Sequence, residues 1–124
     1  MAIETILLVE DDPTVLQVTA RMLRQNGYTV LEASDGQDAL RLVLEPLATI
    51  PDLLLTDVVM PRLGGEQLAV RLRQQYPALK VIFISGYTQE VKSREHSLGI
   101  DAPLLAKPFS MTALTGMVRA VLDA

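Results

Sequence analysis

A chain of 124 residues is long enough to bury a sizeable core, and 49% apolar with 21% charged residues is a globular composition, not that of a disordered tail. Eleven basic against 15 acidic side chains leave a net charge of −4, which argues against a nucleic acid backbone or an anionic membrane as main partner. Zero cysteines exclude disulfides, thiolate metal sites and cysteine nucleophiles, and the one histidine, His96, excludes a multi-histidine metal site.

The start, Met1-Ala2-Ile3-Glu4, lacks the basic head and cleavage site of a signal peptide. No apolar run approaches the roughly 18–20 residues that a spanning helix needs, so a cytoplasmic chain without membrane insertion is expected. Thr5–Val9 (TILLV) is a short apolar run, as in a strand covered on both faces, and Glu10-Asp11-Asp12 follows it. A helix is expected next, with Asp12 as N-cap, Pro13 at N1 and Asn26-Gly27 as its stop. Its apolar face is Val15, Val18, Thr19, Met22 and Leu23, at i, i+3, i+4, i+7 and i+8.

Tyr28–Glu32 reads as a mixed edge strand ending in Ala33-Ser34, with nothing ionic to offer. Leu40, Val43, Leu44 and Leu47 mark a second helix between Gly36 and the Pro46–Pro51 region. Leu53–Thr56 (LLLT) is the next buried strand, followed by Asp57 and Val58-Val59-Met60-Pro61. Gly64-Gly65 punctuates the loop before a third helix, marked by Leu68, Ala69, Leu72 and Tyr76 and stopped by Pro77. Val81–Ile84 (VIFI) is a strand followed by Ser85-Gly86. A weaker helix spans roughly Gln89–Ser97, with His96 on its surface among charged neighbours. Pro103 demotes the run at Leu104-Leu105 to an edge strand, and Lys107-Pro108 comes after it. Ser110 caps a last helix, marked by Leu114, Met117, Val118, Val121 and Leu122. The apolar helix faces are read as core, not as partner sites.

No linker or low-complexity run interrupts the pattern, so residues 1–124 are expected to form one domain. Five strand–helix units at about 25 residues each define an α/β fold with a parallel sheet and right-handed crossovers. Edges at the second and fifth strands favour the order 2-1-3-4-5.

Open parallel sheets bind ligands beyond the carboxyl ends of their strands. At those ends stand Glu10, Asp11 and Asp12, then Asp57, Ser85 and Lys107. Crowded carboxylates repel unless a cation joins them, and an all-oxygen set suits Mg²⁺ before Zn²⁺. Lys107 and the Ser85 hydroxyl suit phosphoryl oxygens, and Asp57 could act as a nucleophile that forms an acyl phosphate.

Four stretches carry a resemblance: Ile6–Pro13 (ILLVEDDP), Asp52–Pro61 (DLLLTDVVMP), Phe83–Gly86 (FISG) and Leu105–Phe109 (LAKPF). In order and spacing, over the whole chain, they resemble the receiver domains of two-component response regulators. The resemblance implies a flavodoxin-like fold. It implies Asp57 as phosphoacceptor, with Asp11, Asp57 and the Val59 backbone carbonyl on Mg²⁺ and Glu10 reaching the ion through water. Ser85 becomes the switch hydroxyl and Lys107 the phosphate-contacting lysine, with a cis Lys107-Pro108 bond. The implied donor is a histidine kinase or a His-containing phosphotransfer protein, and the isolated domain catalyses only its own phosphorylation and dephosphorylation. Ser-Gly-Tyr-Thr at 85–88, with Leu105-Ala106-Lys107-Pro108-Phe109, looks most like receivers attached to hybrid sensor histidine kinases. One departure stands at Leu104, where many receivers carry an aromatic switch residue. The resemblance also implies that Val59 and Tyr87 flank the approach of hydrolytic water, which makes these three positions possible modulators of the switch.

Three rivals share this fold. An aspartate-nucleophile phosphatase would want Asp-x-Asp-x-Thr after the first strand, but its nucleophile position holds Glu10. A non-phosphorylated interaction domain need not keep Asp57, Ser85 and Lys107 together. A flavin module would want a Ser/Thr/Gly-rich phosphate loop where three carboxylates stand.

Overall fold

The computed structural model describes residues 3–45, 49–60, 63–86 and 102–124. The elements run β1 (Thr5–Val9), α1 (Pro13–Gln25), β2 (Thr29–Ala33), α2 (Gly36–Leu44), β3 (Leu53–Asp57), α3 (Gly65–Gln75), β4 (Lys80–Ser85), β5 (Leu104–Ala106) and α4 (Met111–Leu122). The helix expected at Gln89–Ser97, with His96, and the positions Tyr87 and Leu47 lie outside the described residues. All neighbouring strands pair in parallel, in the order β2-β1-β3-β4-β5.

The three unbroken apolar runs take the three central places because both faces of those strands are covered. Leu7, Val9, Leu54, Val81 and Phe83 meet α2 and α3 on one face. Ile6, Leu8, Leu53, Leu55, Ile82 and Ile84 meet α1 and α4 on the other. Burying each such side chain fully stabilises the fold by about 1.5–3 kcal/mol. Among the described residues, no helix is long and apolar enough to cross a membrane.

The caps of α1 and α4 are those the sequence implies. Asp12 accepts from the backbone N–H groups of Thr14 (2.9 Å) and Val15 (3.3 Å), and Ser110 accepts from that of Ala113 (3.0 Å). Gly27 holds φ at 91°, a left-handed turn that favours glycine after α1. Tyr28 drops out of β2 because its N–H donates to the Leu23 carbonyl (3.3 Å) and so belongs to that turn. At the outer edge, the Arg24 guanidinium donates to the Val30 carbonyl (3.0 Å) and pairs with Glu32 (2.7 Å).

The apolar stripe of α1 differs from the sequence reading. Thr19, Ala20 and Leu23 are buried, with Leu16 packed beside them, whereas Val18 is 47% exposed. The apolar arc of this helix is wider than the sheet can cover. Val15 and the exposed Val18 line an open groove with Met22, Pro108 and Phe109, of which Met22 and Phe109 also pack against this core. The expectation that every apolar helix face is core is corrected here.

Candidate functional site

The carboxyl ends of β1, β3, β4 and β5 bring the site together. Glu10 leaves β1 with its backbone N–H on the Ala33 carbonyl (3.1 Å), and its side chain is 1% exposed. One Glu10 carboxylate oxygen accepts from the Asp12 N–H (3.2 Å). The other lies 2.8 Å from the Lys107 ammonium. Asp57 is the final residue of β3, one place inside the strand rather than beyond it. Its Oδ1 accepts from the Val59 N–H (3.2 Å) and its Oδ2 from Lys107 Nζ (3.0 Å). Lys107 thus bridges two carboxylates that belong to different strands.

Burial is the main force on Glu10 and pushes its carboxyl up to about 7; the Asp57 charge adds to this, and the Lys107 bond opposes it. Burial alone would pull the Lys107 ammonium down, but Glu10 and Asp57 together outweigh it and hold it above its ordinary value. Asp11 is exposed on the rim. One carboxylate oxygen each from Glu10, Asp11 and Asp57 lie within 4.8 Å of one another. The donors are all carboxylate oxygen, which fits a hard dication. Asp12 is a helix cap and stands outside this cluster.

Ser85 ends β4, one step past the register pair Asp57–Ile84, and its carbonyl accepts from the Lys107 N–H (2.9 Å). The Lys107–Pro108 peptide is cis, and the lysine side chain reaches back to Glu10 and Asp57. Val59 is 47% exposed beside Asp57. Leu104 opens β5, paired in register with Phe83 and packed against the α2–α3 core.

The sequence marks Gly65 only as punctuation, yet it is the first residue of α3 and touches the site. A Cβ there would stand 2.2 Å from the Asp57 carbonyl oxygen. The Gly65 N–H donates to the Val58 carbonyl (3.0 Å), so α3 begins directly against the strand that carries Asp57. A Gly-Gly pair in the sequence signals a turn, but not which backbone will press against it.

A parallel sheet of this order, with carboxylates and a lysine converging on its carboxyl rim, defines a class of α/β switch domains that take up phosphoryl groups. The chain belongs to the response regulator receiver domain family, whose model matches residues 6–119. It is 39% identical over 119 residues to the sensor kinase CckA of Brucella abortus, covering 96% of this chain but 12% of that protein. It is 36% identical to the receiver protein CpdR of the same organism, covering 96% and 97%. Among solved structures, the receiver domain of the hybrid histidine kinase CckA matches with a TM-score of 0.78 at 38% identity, covering 95% of this chain and 98% of that one. Chemotaxis protein CheY4 of Vibrio cholerae matches at 0.84 and 28% identity, covering 97% and 99%. The chain is a receiver domain of two-component signalling with the role of phosphoryl acceptor. Receivers generally bind Mg²⁺, and the acidic cluster here could hold such an ion.

Proposed function

We propose that residues 1–124 form one receiver unit, in which Asp57 accepts a phosphoryl group from a phosphohistidine on a histidine kinase or His-containing phosphotransfer protein. A carboxylate oxygen of Asp57 forms the new P–O bond as the P–N bond breaks and imidazole leaves. The observation that carries this reading is the Lys107 ammonium, held 3.0 Å from Asp57 Oδ2 and 2.8 Å from Glu10. It stands ready to neutralise charge that a phosphoryl group brings to Asp57. Mg²⁺ would be held by Asp11, Asp57 and the Val59 carbonyl, with Glu10 acting through water, and would neutralise further phosphoryl charge. Ser85 would take a phosphoryl oxygen by hydrogen bond. The unit turns over no substrate besides its own aspartyl phosphate, and a cytoplasmic location goes with a donor histidine charged from ATP.

The apolar groove beside Lys107 supports a protein donor, because a partner seated against Val18, Met22 and Phe109 would lie next to the acidic rim. The phosphatase reading loses ground because Glu10, at its nucleophile position, is buried and held by Lys107. Incubation with Mg²⁺ and acetyl phosphate is expected to add one phosphoryl group by intact mass. A chain that gains none is an interaction domain only.

The metal assignment has its own check. Mg²⁺ at ten times its Kd should stabilise the chain by RT ln 11, about 1.4 kcal/mol, and raise the melting temperature by a few degrees. Asp11→Ala should remove that rise. An unchanged rise in the variant places the ion elsewhere.

Val59 bears on the lifetime of the phosphorylated state. Its exposed side chain stands beside Asp57 and offers water no hydrogen bond, so slow loss of the phosphoryl group is expected. Val59→Asn should shorten the half-life after donor removal by about 2–10-fold, the worth of one hydrogen bond to the attacking water. An unchanged half-life removes Val59 from control of hydrolysis.

A further inference from the structure

Thr56 is the one hydroxyl in the run Leu53–Thr56, and it is 0% exposed in a strand covered on both faces. A buried hydroxyl weakens a core unless it is bonded. This one donates to the Asp57 carbonyl (2.9 Å), with the weaker acceptor Met60 Sδ at 4.0 Å. The same carbonyl is the atom that presses against Gly65, whose Cβ would lie 2.2 Å away. On the other side of that peptide, the Val58 N–H donates to the Ile84 carbonyl of β4 (3.1 Å). The peptide between Asp57 and Val58 is therefore held at both ends, by Thr56 and α3 at its oxygen and by β4 at its nitrogen.

We propose that Thr56 is a positioning residue: its hydroxyl locks the Asp57–Val58 peptide and so aims both the Asp57 carboxylate and the Val58–Val59 backbone at one point on the rim. Turning this peptide would rotate the Cα from which the carboxylate projects. It would also displace the Val59 N–H, which holds Asp57 Oδ1 at 3.2 Å. The core gains nothing from a hydroxyl at this place that a methyl would not supply. The inference rests on the reading of Asp57 as acceptor and concerns how that acceptor is aimed.

Thr56→Val keeps the shape and removes the donor, while Thr56→Ser keeps the donor. Mg²⁺ affinity is measured by calorimetry and the rate of phosphorylation by acetyl phosphate at saturating Mg²⁺, with urea unfolding in metal-free buffer as the stability reference. Thr56→Val is expected to weaken Mg²⁺ binding and slow phosphorylation, each by about fivefold, the worth of one hydrogen bond. Thr56→Ser should stay within about twofold of wild type on both, under the same hydrogen-bond reasoning. Wild-type affinity and rate in Thr56→Val overturn the proposal. So does a serine variant as impaired as the valine one, which would assign the effect to the lost methyl. A wild type that binds Mg²⁺ but takes no phosphoryl group refutes the acceptor reading instead, and the Mg²⁺ comparison still decides on Thr56. A wild type that takes neither overturns both.

Discussion

Asp57→Asn is expected to abolish phosphorylation by acetyl phosphate and by any phosphohistidine donor, with the fold retained. The amide nitrogen and oxygen have no anionic lone pair to offer phosphorus, and the site supplies no base that could restore one. Retention of the fold rests on the arrangement around Lys107. Losing the charge of Asp57 removes one ion pair, but Lys107 keeps Glu10 at 2.8 Å. Part of what pushes Glu10 up is the Asp57 charge, so the substitution lets Glu10 ionise more readily and firms the remaining pair. A melting temperature within a few degrees of wild type is expected, together with complete loss of the phosphoryl adduct by intact mass. An Asn variant that takes up one phosphoryl group at the wild-type rate would sink the assignment of Asp57.

The second large effect is expected from a single methyl group. Gly65→Ala places a carbon 2.2 Å from the Asp57 carbonyl oxygen and 3.1 Å from both the Asp57 carbonyl carbon and Val58 Cα. All three are backbone atoms, so no side chain can swing aside. Either α3 retreats from the sheet or the end of β3 shifts. Overpacking of this kind costs about 1–3 kcal/mol or more, and here the relief would also misdirect the carboxylate. Urea unfolding should show a loss in that range, and phosphorylation should slow by at least tenfold, since about 1.4 kcal/mol of misplacement suffices for that. Gly116 supplies the contrast: it lies within α4, and nothing stands within 4 Å of its missing Cβ. Gly116→Ala should stabilise the domain by about 0.5–1 kcal/mol through the better helix propensity of alanine. Equal effects at the two positions would mean that the close approach at Gly65 does not matter.

Much of the fold can be read in the chain because its physical causes are local. Unbroken apolar runs at Thr5–Val9, Leu53–Thr56 and Val81–Ile84 can only be satisfied by helices on both faces, and this places them centrally. Pro103 and the mixed composition of Tyr28–Glu32 mark the edges, and the order β2-β1-β3-β4-β5 results. The juxtaposition of Glu10, Asp11, Asp57 and Lys107 is also legible, since each directly succeeds or ends a strand of a parallel sheet. Other features depend on contacts distant in sequence. The buried stripe of α1 takes in Ala20, with Leu16 packed beside it, and leaves out Val18, because the apolar arc is wider than the sheet covers and periodicity does not say which part of it will be covered. The role of Gly65 lies in a backbone eight residues earlier, and that of Thr56 in a hydroxyl turned along its own strand.

The Arg24 contact at the outer edge of β2 reaches beyond the phosphoryl site. Thr29 N–H and the Ala33 carbonyl face the β1 side, toward Glu4 and Glu10, so by alternation the polar groups of Val30 and Glu32 face outward. Such a row is a template on which another extended chain could add by backbone pairing. Arg24 occupies the Val30 carbonyl at 3.0 Å, and its ion pair with Glu32 keeps the long side chain lying across the edge. At the opposite border, β5 has only three residues, and Pro103 before it turns its carbonyl inward onto the Phe83 N–H (2.9 Å), so the outer edge is short. Neither border of the sheet is thus an open invitation to strand addition. A receiver that must meet partners by side-chain recognition is guarded at both margins against the less selective association of bare backbone, in which fibrils begin.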